Sequence, residues 1–359
     1  MRILITGAAG MVGRKLTLQL LNDGQLSGKD ITELYLHDVV AISPLPGIPA
    51  PPLTVIPAKA GVLLATNSDL SEKLGPRLRG GDDVKIISRR GDLSDVDVAE
   101  QLIAVKPDVI FHLAGIVSGE AEANFELGYR VNLDGTRVLF DAIRAAQISP
   151  RVVFTSSIAV FGAPFPTIIP DDFHLTPLTS YGTQKMMSEA LLADYTRKGI
   201  LDGIGIRLPT ICVRPGKPNK AASGFFSNII REPLMGREAI LPVPRDVVHT
   251  HASPRAAVNF LIHAATLDGN LLGPRRNLTM PGVGVSVQDQ IDALGRIAGE
   301  GVVALIKDEH DAGIWAIVKN WPTRFEAKRA RDLGFVAEKN FDEIITAHIA
   351  DELGGVYPH

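Results

Sequence analysis

Residues 2–13 read Arg-Ile-Leu-Ile-Thr-Gly-Ala-Ala-Gly-Met-Val-Gly. Arg2–Thr6 is a short apolar run that stops at Gly7, the mark of a buried parallel strand. From Met11 to about Leu21 the apolar residues fall at helical spacing, with Arg14, Lys15 and Gln19 between them. Three glycines join the two elements. Gly7 permits the tight turn, Gly10 lets a backbone approach a pyrophosphate, and Gly13 lets the helix pack closely on the strand. The first helical turn, with Met11 and Val12, offers free N–H groups and a partial positive charge to phosphates. Set between a strand and a helix, the triplet predicts dinucleotide binding.

Outward from this turn, strands and helices alternate. Strands are expected over 31–38, 84–88, 107–113, 151–155 and 203–208. Helices are expected over 93–105, 121–147 (long and broken) and 184–198. Such alternation predicts an α/β fold, a Rossmann-type doubly wound parallel sheet with helices on both faces. After residue 214 the pattern loosens, with helices expected over 222–236, 254–267, 287–299 and 341–353. A dinucleotide-binding domain over 1–214 and a smaller mixed α/β substrate lobe over 215–359 follow, with the 254–267 helix returning to the first domain.

Composition narrows the function. A net charge of −3 argues against a protein that neutralises nucleic-acid phosphates. The single cysteine, Cys212, excludes a disulfide framework and a multi-cysteine zinc site, and no metal is expected. No apolar run is long enough for a membrane span, and the N-terminal glycines leave no signal-peptide core. A cytoplasmic location is therefore expected. The 359 residues exceed the need of such a fold, and the surplus is 43–83, where six prolines fall between Pro44 and Pro57 and a GPRLRGGDD string follows. This reads as a surface insertion, with a lid over the site as the functional alternative.

Asp38 ends the second strand, 25 residues after Gly13. A carboxylate there accepts bonds from ribose hydroxyls and repels a 2′-phosphate, which favours NAD over NADP. Arg14 reads as a solvated helix residue. Asp92 and Leu93 end the third strand, where contact with an adenine ring and a helix N-cap at Asp92 are both open. Leu113 and Ala114 follow the fourth strand and lie against a cofactor, whereas His112 reads as a packed strand residue. Tyr181 and Lys185 form a YxxxK pair on one helix face. A phenol is too weak an acid to serve as a base at neutral pH until a nearby ammonium favours its phenolate. Upstream, Ser156 and Ser157 end a strand, where a hydroxyl can share the charge of a reacting oxygen. The order of glycine turn, acid, serine pair and YxxxK is far more specific than any one of its parts.

With these motifs the chain resembles the extended short-chain dehydrogenases/reductases of the NAD-dependent epimerase/dehydratase family, over nearly everything outside 43–83. The resemblance implies bound NAD, a catalytic set of Ser157, Tyr181 and Lys185, and Asn132 in YRVNLDGT as the residue that positions the lysine. Pro209 is placed beside the cofactor. A homodimer through the 121–147 and 184–198 helices is implied as well. The strings FHLAGIVSGEAEANFELGYRVNLDGTR, TSSIAVFG, PLTSYGTQK, RLPTICVRPGKPN, IIREPL and SPRAAV resemble a branch that oxidises the C2 hydroxyl of a four-carbon sugar acid. That branch does not need the insertion, whose VIPAKAG and GPRLRGGDD strings resemble a translated bacterial repeat element.

A sugar-acid substrate needs fixed cations for its carboxylate. Arg214 and Lys217 in VRPGKPN and Arg231 in IIREP are the candidates, with Arg255 a further one. Arg207, within a strand, reads as a brace of the sheet. Ser118 faces the expected crevice beside Glu120, which caps or orients. His249 and His251 read as a loop pair without enough companions for a metal. The rival readings are a nucleotide-sugar epimerase that recycles tightly held NAD, and a non-catalytic NAD sensor. Leu208-Pro209-Thr210 departs from the asparagine many such epimerases carry there, and the intact Tyr/Lys pair disfavours the sensor.

Overall fold

The computed structural model describes residues 1–45, 84–216 and 222–357 in full, and the backbone of 53–55. Most of the 43–83 insertion lies outside the described residues, and so does Lys217.

Eight parallel strands form the main sheet. They are β1 (Arg2–Thr6), β2 (Glu33–Asp38), β3 (Leu53–Val55), β4 (Lys85–Arg90), β5 (Val109–His112), β6 (Arg151–Ser157), β7 (Asp202–Leu208) and, further along the chain, β10 (Asn277–Thr279). Their order is β10-β7-β6-β5-β1-β2-β4-β3. The chain leaves β1 toward β2 on one side and later returns to β5 on the other, so the switch in direction opens a crevice at the C-terminal strand ends. Register aligns those ends. Thr6 lies opposite both His37 and His112, and Ser157 lies opposite Leu208. The residues that follow each strand therefore converge on one edge of the sheet.

Helices cover both faces. On one side, α1 (Met11–Asp23) buries Leu16, Leu20 and Leu21. On the other, α2 (Val96–Ile103) and α3 (Gly135–Ala145) pack together over Leu4, Ile110 and Phe154. The following helix, α4 (Ser180–Arg197), begins where Thr179 accepts the Gly182 N–H. The expected break in the 121–147 helix is present, with a π-helical turn at Tyr129–Asp134 before α3. The 93–105 helix starts only at Val96. Asp95, rather than Asp92, caps it by accepting the Asp97 N–H.

The C-terminal part builds a second core around Phe226, Ile230, Leu241, Leu294 and Ile345. It contains α5 (Gly224–Leu234), α7 (Val287–Ala298), α8 (Phe341–Glu352) and a small sheet of β8 (Thr210–Ile211), β9 (Val248–Ala252) and β11 (Val283–Ser286). His249 and His251 lie in β9, not in a loop. Both buried rings pack against aromatic neighbours, which an apolar strand of a lobe core supplies. Two segments return to the main sheet and its helices. Helix α6 (Pro254–Thr266) packs on α1, and β10 extends the main sheet beside β7. Of the insertion, Leu53–Val55 forms the edge strand β3 against β4. Arg14 is not simply solvated, because its guanidinium donates to the carbonyls of Ser43 and Pro44 at the start of that segment. No helix among the described residues is long and apolar enough to cross a membrane.

The glycine turn is set by space. Gly7 has φ +76°, and a Cβ there would lie 2.7 Å from the Ala114 nitrogen. A Cβ on Gly13 would lie 2.4 Å from the Gly7 carbonyl oxygen and 2.8 Å from Ala8 Cα. Both obstacles are backbone and cannot rotate aside. Gly13→Ala is therefore expected to lift α1 off β1 at a cost of about 1–3 kcal/mol. The check is a lower urea midpoint at unchanged slope.

Candidate active site

The first turn of α1 opens toward the crevice. Gly10 is its N-cap and supplies no capping side chain, so among the described residues the amides of Met11, Val12 and Gly13 have no side-chain partner at the helix start. Asp38, at the end of the neighbouring strand, accepts the Ala9 N–H at 2.9 Å through one carboxylate oxygen and the Val40 N–H through the other. A carboxylate is thus fixed beside a helix N-terminus. This arrangement fits a dinucleotide whose pyrophosphate meets the helix and whose ribose meets the acid. Asp92 closes a turn by accepting from the Ser94 N–H and hydroxyl. Leu93 is buried in the core with Tyr35 and Ile87.

Behind the turn, His112 lies between two hydroxyls, with Thr6 Oγ1 2.8 Å from Nδ1 and Thr136 Oγ1 2.9 Å from Nε2. Thr136 donates to the Asn132 carbonyl, so its oxygen accepts from Nε2–H, and Nδ1 accepts from Thr6. Burial pushes the imidazole down to about 3, so it stays neutral. The ring is a fixed spacer rather than a base.

One cavity of about 310 Å³ gathers the end of the sheet. Val12, Leu113, Ser118, Ser157, Tyr181, Lys185, Pro209 and Arg214 all line it. Ser157 faces the Tyr181 hydroxyl as a donor that favours the phenolate, and its own oxygen accepts the Ala159 N–H at 3.1 Å. Burial raises the phenol above its ordinary value, while the Ser157 bond and the Arg214 guanidinium pull it back down. Arg214 adds a second cation beside the phenol, while the Lys185 ammonium donates to the Thr155 carbonyl at 2.9 Å and lies 5.8 Å from the Tyr181 ring centre. Burial pushes Lys185 down to about 8, against the opposing pull of Glu189.

Asn132 sits in the π-helical turn, a distortion that recurs at functional sites. Its side chain accepts the Ile116 N–H at 2.9 Å and donates to Gln184 Oε1 at 2.8 Å. It thereby staples the loop after β5 to the helix that carries Tyr181 and Lys185. A Cβ at Gly115 would lie 2.9 Å from Asn132 Oδ1, so a side chain there would crowd the amide that holds Ile116.

The cationic candidates separate. Arg214 reaches the cavity and is held by the Ile211 carbonyl and Ser223. Arg231 does not line the cavity. Its guanidinium is spent on the Arg214 carbonyl at 2.7 Å, on Asn228 and on Glu232, so it braces the Arg214 loop from behind. Arg255 pairs with Asp351 away from the site. Arg207 pairs with Glu189 in the interior, and Ser156 donates to the same carboxylate at 2.5 Å. Ser223, Trp321 and Pro322 also line the cavity and were not singled out by sequence reading, while Thr210 and His249, which were read only for other reasons, line it too. The signal for Glu189 was available, since it lies four residues beyond Lys185 on the same helix. Nothing local to Trp321 points to the site.

Glu189 and Arg207 are 1% and 8% exposed, so each depends on the other for its missing solvation. Glu189→Leu is expected to cost about 3–5 kcal/mol by stranding the guanidinium, and the Glu189→Leu/Arg207→Met pair to recover most of it. Urea unfolding of the single and double variants measures this.

The NAD dependent epimerase/dehydratase family matches residues 3–250. A D-erythronate dehydrogenase from Cupriavidus necator is 42% identical over 355 residues, covering 98% of both chains. One from Haemophilus influenzae is 38% identical over 349 residues, 97% of this chain and 99% of that one. A solved structure described as a nucleoside-diphosphate-sugar epimerase from Agrobacterium tumefaciens is 55% identical, with a TM-score of 0.86 over 99% of this chain and 95% of that one.

Proposed function

The chain belongs to the NAD-dependent epimerase/dehydratase family, as an NAD-dependent dehydrogenase of the extended short-chain dehydrogenase/reductase type, and from there we propose that it oxidises the C2 hydroxyl of a small sugar acid, D-erythronate to 2-dehydro-D-erythronate. One observation carries the choice of an acid. Arg214 lines the same cavity as Ser157 and Tyr181 and acts electrostatically on the Tyr181 hydroxyl. A guanidinium there suits a carboxylate whose neighbouring carbon bears the reacting hydroxyl. The two relatives named as D-erythronate dehydrogenases span nearly the whole chain and support the four-carbon acid.

The residues present fit the cofactor. Gly7, Gly10, Met11, Val12 and Gly13 would hold its pyrophosphate, Asp38 its adenosine ribose, and Asp92 and Leu93 the adenine side. Leu113, Ala114 and Pro209 would flank the nicotinamide end, and Lys185 would hold its ribose. Asp38 makes NAD the preferred form, because its charge opposes a 2′-phosphate. Bound oxidised nicotinamide supplies the acceptor for the hydride that leaves C2. The chain supplies the rest. Tyr181 as phenolate takes the hydroxyl proton, Ser157 bonds the same oxygen, and Lys185 and Arg214 supply positive charge near the phenolate. Asn132 positions the wall beside Lys185, and Ser118 borders the substrate. Lys217 belongs to the same proposal as a second cation after Arg214. A homodimer through α3 and α4 completes it.

Four- to six-carbon aldonates and uronates, supplied with NAD and followed as NADH formation, test the reaction. Net NADH from D-erythronate is the expected result, and Tyr181→Phe lowers turnover about 100-fold or more with NAD still bound. An epimerase would recycle its cofactor and give no net NADH.

Arg214 yields a separate prediction. Removing a positive charge that favours the phenolate raises the phenol's pKa, so the rise of kcat/KM with pH moves to higher pH in Arg214→Met. KM for the acid rises as well, because the carboxylate anchor is gone. Arg214→Lys restores part of both. A pH profile of each variant reads the two effects independently.

A further inference from the structure

In the wall of the cavity, Thr210 and His249 form a hydrogen-bonded pair that the reaction does not require. Strand β8 runs parallel to β9 with Thr210 opposite His251. Alternate residues of a strand share a face, so His249 is presented on the same side. Thr210 Oγ1 lies 2.7 Å from His249 Nε2, and His249 Nδ1 lies 2.9 Å from the Pro322 carbonyl. A carbonyl only accepts, so Nδ1 carries the proton. Burial pushes the imidazole down to about 4, which leaves Nε2 a bare lone pair at neutral pH. Thr210 must therefore donate to it. The ring cannot swing away, because Phe226 stacks on it at 5.3 Å and 6° and Trp321 packs at 5.4 Å. His249 is the one side-chain partner of Thr210 Oγ1 among the described residues.

The consequence is directional. A free threonine hydroxyl rotates to meet either a donor or an acceptor. This one has its proton committed and presents only lone pairs to the cavity. We propose that Thr210, locked by His249, is a specificity residue that accepts a hydrogen bond from a substrate hydroxyl beyond C2, so that the site favours polyhydroxylated acids over their deoxy analogues. This rests on the sugar-acid reading above. His249 is a positioning residue in it, and Trp321 and Pro322 hold His249 in place.

The test uses the full-length enzyme with NAD and three acids: D-erythronate, 2,3-dihydroxybutanoate and 2,4-dihydroxybutanoate. The readout is the ratio of kcat/KM for D-erythronate to that for each deoxy acid. Thr210→Val keeps the side-chain shape and removes the acceptor. Its ratio for the deoxy acid that lacks the recognised hydroxyl is expected to fall about 10- to 100-fold, from the cost of an unmet polar group. Thr210→Ser keeps the hydroxyl and the wild-type ratio, which separates recognition from folding. Equal ratios in wild type and Thr210→Val, whatever the absolute rates, overturn the proposal while leaving the sugar-acid reading intact. Failure of the wild-type enzyme to oxidise any of the three acids overturns that reading, and this inference with it.

Discussion

No side chain fits where α1 leaves β1, and the rest of the crevice is arranged around that contact. The Gly7 carbonyl and Ala8 Cα occupy the space a Cβ on Gly13 would need. Helix and strand consequently meet at backbone distance, with the helix start facing the strand ends. The parallel register then brings Asp38, Leu113, Ser157 and Leu208-Pro209 onto the same edge. A shift of that ladder would separate the acid from the glycine turn and Ser157 from Pro209.

The charges of the site depend on one another through burial. Lys185 is held against the Thr155 carbonyl, and Glu189 stands one helical turn behind it. Glu189 also takes Ser156 and Arg207, so a strand, a helix and the serine pair are joined by one interior carboxylate. Buried charges of this kind are poor sources of stability but strong determinants of placement, because each partner is costly to leave alone. Arg231 acts in the same way in the second lobe. It spends its donors on the loop that carries Arg214 and so fixes which guanidinium faces the cavity.

Much of the fold was legible because local rules govern it. Apolar runs after turn residues became β1, β2, β5, β6 and β7 within a few residues of their expected bounds. The body of the helix that carries Lys185 was legible, although its expected start at 184 falls after Tyr181 and the helix begins at Ser180, and Arg207 was readable from its place in a strand. The π-helical turn at Asn132 was not, because it differs from an α turn by one residue and leaves the apolar period almost unchanged. Helix α2 was begun too early, since Asp92 and Asp95 are both good caps and only the turn closed by Ser94 decides between them. Strand β10 was missed because a three-residue edge strand has too little pattern to show.

By itself the sequence determined the glycine turn, the alternation that makes a parallel sheet, and the order of acid, serine pair and YxxxK. These depend on residues close together in the chain, where backbone sterics and side-chain periodicity act directly. Tertiary structure alone decided that Arg214 faces the cavity while Arg231 supports it, and that Arg214 joins Lys185 as a cation of the site. It also brought Thr210, His249 and Trp321 to one wall. Those outcomes turn on which donors find buried acceptors across the two lobes, a matter of distance and desolvation that no local pattern of residues encodes.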